Sequence, residues 1–562
     1  MQHFTWIDIL VVAVYLVGIA ALGIIQIVRV KTSGDYFTGG RRFNKYLMVM
    51  HALGTGTHAD DPVGVTGAVY ERGLSGIWYT FIYLFVTPFY WIIAPFFRRS
   101  RFITTADFFE ARFSRGLGIL YTVMGIVAFS VSTGTLLKGT GTIADAVTGG
   151  AVPEWAAITA MTVIFVAYGL AGGLSATVIT EGVQGLLIVV MSLLLVPFGL
   201  RLIGGAAGLH HLVSPQMFSL VAKEEITIPW ILVGAVMMLI GIVSQPHIME
   251  VCSTGKTEFE GRVGFTYGNF IKRFCAIGWA FTGLIVVALV AAGDLPALGT
   301  RELAFGAAIR DLLPTGATGL MFAAVLAAQM STLSAFMVAG SALFSRNLYA
   351  RYLRPQASDR DILRVGRWSG LIVVGAGLAF SLLVPSVVQA LTVFWAVNTL
   401  TGVLMWFGVL WRRANPAGAW ASFVVMLVPW LLFGMFGAAL TKLPVHVAWP
   451  AWLGVYADTK SLPLLAATYL PAGIIFMILA SLVSRPLDKE RLDKFHLLLR
   501  TPVGREDELK KAGIEVVYAG STTGHPWELK HPVAVNVIGF LAALIFAGAI
   551  LALFWGLGRI GM

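Results

Sequence analysis

Two adjacent aspartates, Asp60 and Asp61, lie within a stretch that otherwise has the composition of a membrane span. Neighbouring carboxylates in such surroundings cannot both stay charged without partners. Three interpretations are open: Asp61 caps a helix while Asp60 pairs with a basic side chain such as Lys138; the acids bind a cation, either sodium or a cationic substrate; or one acid binds a proton, giving proton coupling or pH control. His58 could donate to a polar or anionic substrate, or pair with Asp61.

The same stretch contains residues that interrupt helices. Residues 50–64 read MHALGTGTHADDPVG, with glycines and threonines where a lipid-facing helix would be apolar. Backbone groups left unpaired at membrane depth must line a cavity or meet other protein. Aspartate is a good N-cap and proline suits the first helical turn, so Asp61-Pro62 is typical of a helix start. We therefore predict an inner half-helix, a break near Gly54–His58 and an outer half-helix.

A second interruption is predicted at Gln245-Pro246-His247, because Pro246 removes a backbone donor from another apolar segment. Two interrupted helices five spans apart are typical of transporters built from inverted repeats, whose half-helix ends hold ions and substrates at mid-membrane. Proline kinks in a purely structural bundle are the alternative. We place the substrate beside the two breaks, against a small set of side chains: His58, Asp60, Asp61, Ile242 and Gln245.

A cluster of hydroxyls follows in a later span. Residues 323–334 read AAVLAAQMSTLS, so Ser331, Thr332 and Ser334 lie within one helical turn. Hydroxyl and carbonyl oxygens are hard ligands that suit a small alkali cation. Serine and threonine also often bond the carbonyls of their own helix, which is the structural alternative.

These segments belong to a chain of 562 residues, of which 57% are hydrophobic and 12% charged. Soluble chains usually carry about twice that charged fraction. The apolar residues form blocks of the length that a bilayer requires, and we predict an all-α integral membrane protein with about fourteen spans. They lie near 7–29, 45–70, 76–97, 117–138, 154–172, 178–203, 228–249, 271–293, 317–343, 367–385, 388–410, 418–438, 464–484 and 533–556.

The charge pattern predicts topology. The net charge is +11, but the basic residues cluster in loops between apolar blocks, which argues against nucleic-acid binding and for contact with membrane lipid. Lys272 and Arg273 are predicted to be among these loop residues. The asymmetry places the N-terminus outside and loop 485–532 in the cytoplasm of a bacterial inner-membrane protein. Residues 7–28 lack the basic start of a cleavable signal, so we expect this span to be retained.

The predicted organisation has five parts. They are an N-terminal extra helix and loop (1–44), an inverted-repeat core of spans 2–6 and 7–11 (45–413), two peripheral helices (414–484), a cytoplasmic connector (485–532) and a C-terminal helix (533–562). Cys252 and Cys275 indicate neither a disulfide framework nor a metal site.

Five short motifs occur in a fixed order within about residues 5–480: Asp35-Tyr36-Phe37-Thr38-Gly39-Gly40-Arg41, TTADFFEARF at 104–113, Thr180-Glu181-Gly182-Val183-Gln184, Gln245-Pro246-His247, and AQMSTLS at 328–334. In order and spacing they resemble the sodium:solute symporter family, the group with the bacterial proline and pantothenate transporters and the sodium-coupled glucose transporters. The chain looks like a divergent member. The resemblance implies ten core helices in two inverted repeats, with alternating access around a central site.

The resemblance also implies a sodium ion between the second and ninth spans. Its ligands would be the carbonyls of Gly54, Thr57 and Ala328 and the hydroxyls of Ser331 and Thr332. Some members hold a second sodium ion, for which Glu181 and Ser334 are the matching residues. Ala335 stands where another hydroxyl would be wanted, and a structural role of Glu181 is the alternative.

The substrate region is the least family-like part. Gly56 stands where the proline transporters have an acid, and Met238 and Ile242 stand where they have aromatic residues. The substrate is therefore predicted only as a small organic solute.

We predict a sodium-coupled symporter that imports such a solute by alternating access, with Na⁺ as the coupling ion. A proton-coupled transporter of the same fold is one alternative, and a transporter-like sensor is another, although loop 485–532 is short for a signalling domain. We find no nucleophile–base pattern beside the breaks and expect no enzyme activity.

Overall fold

The computed structural model describes residues 4–25, 33–223, 225–383, 387–431, 462–514, 516 and 523–561. Regular secondary structure in these ranges is helical, apart from one isolated bridge between Phe43 and Gly255. Long apolar segments form helices in lipid because a helix satisfies its own backbone hydrogen bonds. The all-α prediction is confirmed.

Sixteen helices are labelled in chain order. They are α1 (Trp6–Ile25), α2 (Lys45–Gly56), α3 (Asp60–Arg72), α4 (Thr87–Ser100), α5 (Arg115–Thr148), α6 (Glu154–Leu193, interrupted at Gly173), α7 (Ile228–Ile242), α8 (Pro246–Ser253), α9 (Glu258–Ala292), α10 (Ala317–Phe344), α11 (Asp359–Leu383), α12 (Val387–Leu410), α13 (Pro416–Pro429), α14 (Leu462–Val483), α15 (Lys489–Arg500) and α16 (Pro532–Leu557).

Shorter helical segments connect them. These are Ser33–Thr38, Gly39–Arg41, Gly73–Ile77, Trp78–Phe81, Thr105–Arg112, Leu195–Leu202, Gly205–Leu212, Pro215–Phe218, Arg301–Leu303, Ala304–Leu312, Ser345–Leu353, Glu506–Lys511 and Pro526–Lys530.

Seven helices among the described residues are long and apolar enough to cross a membrane, or eight when the bent pair of α7 and α8 is counted as one span. Four further apolar helices are shorter: Trp6–Leu22, Glu154–Ala167, Pro416–Pro429 and Tyr469–Val483. The predicted spans near 7–29, 367–385 and 418–438 end outside the described residues. The count of fourteen stays a prediction.

Both predicted breaks are present. Helix α2 ends at Gly56 and α3 begins at Asp60, while α7 and α8 meet at an angle of 65° just before Pro246. Ala59, rather than Asp61, occupies the N-cap position of α3. Asp61 lies in the first turn, where its Oδ2 accepts the backbone N–H of His58 at 3.1 Å. The carboxylate therefore still satisfies a backbone donor at the break.

Helix α9 packs directly against both halves of the first broken helix. A Cβ atom added at Gly268 would lie 2.7 Å from the carbonyl oxygen of Val49 in α2, and one added at Gly283 would lie 2.7 Å from the carbonyl oxygen of Thr66 in α3. Small residues allow such close approach of membrane helices. The glycines therefore hold the middle of α9 against the break.

This packing corrects the predicted eighth span. Helix α9 starts at Glu258, well before the predicted start at residue 271, so Lys272 and Arg273 lie inside the helix rather than in a loop. Both side chains are buried. Their assignment to a cytoplasmic loop was wrong because the hydropathy pattern alone begins the span at the first uninterrupted apolar run.

The connector is fastened to the helical core by buried ion pairs. Arg101 contacts Glu506 at 3.0 Å, and Arg262 near the start of α9 contacts Glu528 at 2.6 Å. Arg101 also donates to the carbonyls of Thr501 and Pro502. The described connector segments are thus attached to the helical core at Arg101 and Arg262.

Gly268→Val should lower the thermal stability of the purified protein, because the added side chain forces α9 away from α2. Overpacking of this kind costs about 1–3 kcal/mol. Gly548→Val in α16 is the matched control, since nothing lies within 4 Å of a Cβ atom there. Equal melting temperatures of the two variants in detergent would contradict the close contact.

Candidate functional site

A central cavity of about 90 Å³ lies at the two helix breaks. Segments from both halves of the chain line it, and its wall contains all five predicted substrate residues: His58, Asp60, Asp61, Ile242 and Gln245. Tyr79, Phe336 and Trp395 contribute aromatic surface. The cavity therefore combines a charged wall with an apolar one, as binding sites for small organic molecules usually do.

Lys272 spans the break between α2 and α3. Its Nζ lies 2.8 Å from Oδ2 of Asp61 and also donates to the backbone carbonyl of Gly56. Gly56 ends the inner half-helix, where carbonyls carry partial negative charge, and Asp61 lies in the first turn of the outer half-helix. One ammonium group thus satisfies groups on both half-helices.

Asp60 is paired differently from the prediction. Its Oδ1 lies 3.1 Å from Nδ1 of His58, while Lys138 contacts Glu154 at 2.8 Å. The proposed Asp60–Lys138 pair is wrong because Lys138 lies on α5 within reach of the start of α6 instead. Both acids therefore have protein partners within the cavity wall, Asp60 in His58 and Asp61 in Lys272.

His58, Asp60 and Asp61 also place three potential metal-ligand atoms within 4.8 Å of one another. The Asp61 carboxylate already receives the ammonium of Lys272 at its Oδ2. A metal ion there would face that fixed positive charge.

An oxygen cluster lies beneath the break, between α2 and α10. The hydroxyl of Thr332 donates to the carbonyl of Gly54 at 3.0 Å, and it also lies 3.3 Å from the carbonyl of Ala328. Oxygens around a six-coordinate ion with metal–oxygen bonds of about 2.4 Å lie roughly 3.4 Å apart. The contact with Ala328 is also the bond to a carbonyl of its own helix that the structural alternative expects, and the spacing of these oxygens is compatible with a small cation of sodium's size.

The remaining predicted ligands lie around this cluster. A Cβ atom added at Gly54 would be 3.0 Å from Oγ of Ser331, so the glycine allows the serine to approach. The backbone N–H of Thr57 donates to the carbonyl of Gly54 at 3.4 Å. The structure thus brings the predicted ligand atoms of Gly54, Ala328, Ser331 and Thr332 close together, with Thr57 adjacent through its backbone N–H.

Glu181 lies next to the cluster and is fully buried. Its Oε1 accepts the hydroxyls of Ser331 at 2.7 Å and Thr55 at 2.9 Å, and its Oε2 contacts Nδ1 of His51. Ser334 instead lies 2.9 Å from the hydroxyl of Thr177. Glu181 is therefore engaged by protein groups.

Comparisons with known proteins identify the family of this chain. A model of the sodium:solute symporter family matches residues 36–428. The chain belongs to the sodium:solute symporter family. This symporter is 23% identical over 477 residues to a sodium/glucose cotransporter of Vibrio parahaemolyticus, covering 78% of this chain and 86% of that one.

Two further relatives are transporters of other solutes. An osmoregulated proline transporter of Bacillus subtilis is 25% identical over 449 residues, covering 76% of this chain and 89% of its own. A sodium/pantothenate symporter of Escherichia coli is 25% identical over 412 residues, covering 70% of this chain and 82% of its own. The different solutes in these names show that the family does not by itself name the substrate.

The fold is similar to that of a Na⁺-coupled sialic acid symporter in a substrate-bound outward-open state. The TM-score is 0.70 at 17% identity, over 86% of this chain and 100% of that one. The inverted-repeat transporter fold is therefore confirmed. The predicted function is confirmed as well: the chain is a sodium-coupled symporter of a small organic solute, with Na⁺ as the coupling ion.

Several site residues of this symporter were missed from sequence. Lys272 and Arg273 were placed in a loop, and His51 and Thr177 were not singled out. A sequence signal for Lys272 and Arg273 does exist. They are adjacent basic residues at the edge of an apolar block, one helical turn after Asn269. An isolated histidine or threonine in an apolar run carries no comparable signal.

Lys272→Met should destabilise the symporter, because it leaves the Asp61 carboxylate, whose side chain is only 13% exposed, without its closest cation. Breaking one side of a buried pair costs about 3–5 kcal/mol. Adding Asp61→Asn to Lys272→Met should recover part of the melting temperature in detergent.

The matched control is the more exposed pair of Lys138 and Glu154, whose side chains are 21% and 34% exposed. Breaking an exposed pair of this kind should cost less than about 1 kcal/mol. If the losses of Lys272→Met and Asp61→Asn simply add in the double variant, the two groups do not stabilise each other.

Proposed function

We propose that the symporter binds one sodium ion between α2 and α10, held by the carbonyls of Gly54, Thr57 and Ala328 and the hydroxyls of Ser331 and Thr332. The observation that carries this proposal is the convergence of Gly54, Ala328 and Thr332, with oxygens separated by 3.0 and 3.3 Å. These are neutral hard-oxygen donors at a helix break, where backbone carbonyls are free to turn towards an ion.

The solute is proposed to bind in the adjacent cavity, against His58, Asp60, Asp61, Ile242 and Gln245. In this placement, sodium binding and solute binding are linked through the short segment 54–56 at the end of α2. Gly54 contributes a proposed sodium ligand, and the carbonyl of Gly56, two residues later, holds Lys272 in the cavity wall. Ordering of the segment by sodium would therefore favour solute binding, and by linkage the reverse also holds.

A second sodium ion is not part of this proposal. Glu181, the acid at the matching position, is engaged by His51, Thr55 and Ser331, and Ser334 is engaged by Thr177. A second ion would have to displace these contacts. The protein groups around Glu181 therefore support the structural role of this acid.

The predicted organisation and orientation are kept as proposals. Residues 45–413 would form the transporting core, with the N-terminus outside and the connector in the cytoplasm. The basic residues Arg99, Arg101 and Arg262 lie at the end that the connector covers, as the positive-inside rule favours. Exposed apolar residues of α16, including Ile538, Leu541 and Ile545, would face lipid.

Ser331→Ala and Thr332→Ala should each raise the half-saturating sodium concentration for solute uptake by about tenfold, the effect of losing one bond to a charged group. They should also reduce the rise in melting temperature that sodium causes. Ser341→Ala is the matched control, because Ser341 is a buried serine of the same helix whose hydroxyl bonds the carbonyl of Val338. Equal sodium dependence of Ser341→Ala and Ser331→Ala would refute the site.

The stoichiometry gives a separate expectation. Uptake measured against sodium concentration should follow a Hill coefficient of about 1, since one ion is proposed. Ser334→Ala should leave the half-saturating sodium concentration unchanged, because its hydroxyl bonds Thr177 rather than the ion. A coefficient near 2 that falls in Ser334→Ala would show a second sodium site.

A further inference from the structure

Arg273 is a buried cation in the wall of the cavity. Its residue is 2% exposed, and the guanidinium lies over the ring of Tyr83, 5.1 Å from the ring centre. Among the described residues no carboxylate oxygen lies within 4.0 Å of it, and its Nε has no hydrogen-bond partner. The recorded bond from Nη2 to Oδ1 of Asn269 is long, at 3.5 Å.

The other charged groups of the wall do have close partners. Lys272 pairs with Asp61 at 2.8 Å, and Asp60 pairs with His58 at 3.1 Å. Asp61 acts on Arg273 only from beyond 4.0 Å, and the phenols of Tyr83 and Tyr90 lie beside the guanidinium, the Tyr90 oxygen as an uncharged hydrogen-bond acceptor. A buried guanidinium keeps its charge and is costly to bury without an anion.

We propose that the transported solute carries a carboxylate and that Arg273 binds it. The proposal rests on the cavity being the solute site, as argued above. A guanidinium offers two parallel N–H groups that match the two oxygens of a carboxylate, and the unpartnered Nε belongs to such an edge. The aromatic surface of Tyr79, Phe336 and Trp395 would receive an apolar solute body.

The arrangement favours an anion over a cation as the charged part of the solute. A cationic solute would compete with Lys272 for Asp61 and with His58 for Asp60. An anion at Arg273 displaces no ion pair of the wall. It would also compensate the guanidinium, which lacks a carboxylate at close range.

The test compares small carboxylates with their neutral amides on the purified full-length symporter. The four carboxylates are acetate, propionate, lactate and benzoate. Each is compared with its own amide, which has nearly the same shape without the charge: acetamide, propionamide, lactamide and benzamide, respectively. Melting temperature is measured in sodium chloride and in choline chloride at equal ionic strength. We expect at least one carboxylate, and not its amide, to stabilise the protein in sodium.

Two variants locate the effect. Arg273→Gln should weaken binding of that carboxylate by about 30-fold or more, as truncation of one partner of a buried charge pair does. Arg273→Lys keeps the charge without the planar fork and should bind with intermediate affinity. Stabilisation of Arg273→Gln by sodium alone shows that the variant is folded and that its sodium site is intact.

The outcomes separate the two proposals. Absence of stabilisation by every carboxylate of the panel in sodium, whether or not an amide stabilises the protein, would overturn the carboxylate assignment while leaving the sodium site standing. Unchanged carboxylate affinity of Arg273→Gln would overturn the role of Arg273. Carboxylate binding that is identical in sodium and choline, with no sodium effect on the protein alone, would overturn the proposed sodium site instead.

Discussion

The ammonium group of Lys272 is the contact on which the centre of the molecule depends. A helix broken in the middle of a membrane exposes carbonyls at the end of one half and amides at the start of the other, and lipid can satisfy neither. Lys272 contacts the carbonyl of Gly56, and it holds Asp61, whose carboxylate accepts the amide of His58. Protein groups therefore satisfy the Gly56 carbonyl and the His58 amide at the break, and these two groups do not need water as a partner.

This contact in turn requires α9 to lie directly against the broken helix. Gly268 lies one turn before Lys272 on α9, and a side chain there would meet the backbone of α2. The contact of Lys272 therefore depends on glycine at position 268, because a larger residue there would move the ammonium away from the Gly56 carbonyl. The same approach brings Arg273, the next residue, into the cavity wall. The packing of α9 against α2 therefore also fixes the positions of the two charged side chains, Lys272 and Arg273.

The sequence predicts the parts of the site that depend on local pattern. The breaks at Gly54–His58 and Pro246 follow from residues that cannot continue a lipid-facing helix, and the hydroxyl cluster at Ser331 and Thr332 follows from their spacing on one turn. Both are found where predicted. The family resemblance implies Gly54, Thr57 and Ala328 as partners, and the carbonyls of Gly54 and Ala328 lie within 3.3 Å of the Thr332 hydroxyl.

What the sequence does not predict depends on contacts between distant helices. The partner of Asp60 was assigned to Lys138, but the rotation and height of α5 place that lysine beside Glu154. The pairing of Lys272 with Asp61 could not be found while Lys272 was counted as a loop residue. Glu181 could be matched to an ion ligand by its motif, but only the position of His51 shows what its carboxylate contacts.

The proposed cargoes have a consequence for the driving force. The charge carried across the membrane by the bound cargoes is the sum of the charges of the ion and the solute. One sodium ion and one monocarboxylate together carry no net charge, and a membrane potential does work only on net charge, about 2.3 kcal/mol per elementary charge per 100 mV. Uptake of such a solute would then be driven by the sodium concentration gradient alone. Because the sodium site and Arg273 both border the broken helix, the two opposite charges would also enter a medium of low dielectric constant together, which reduces the cost of bringing in either one.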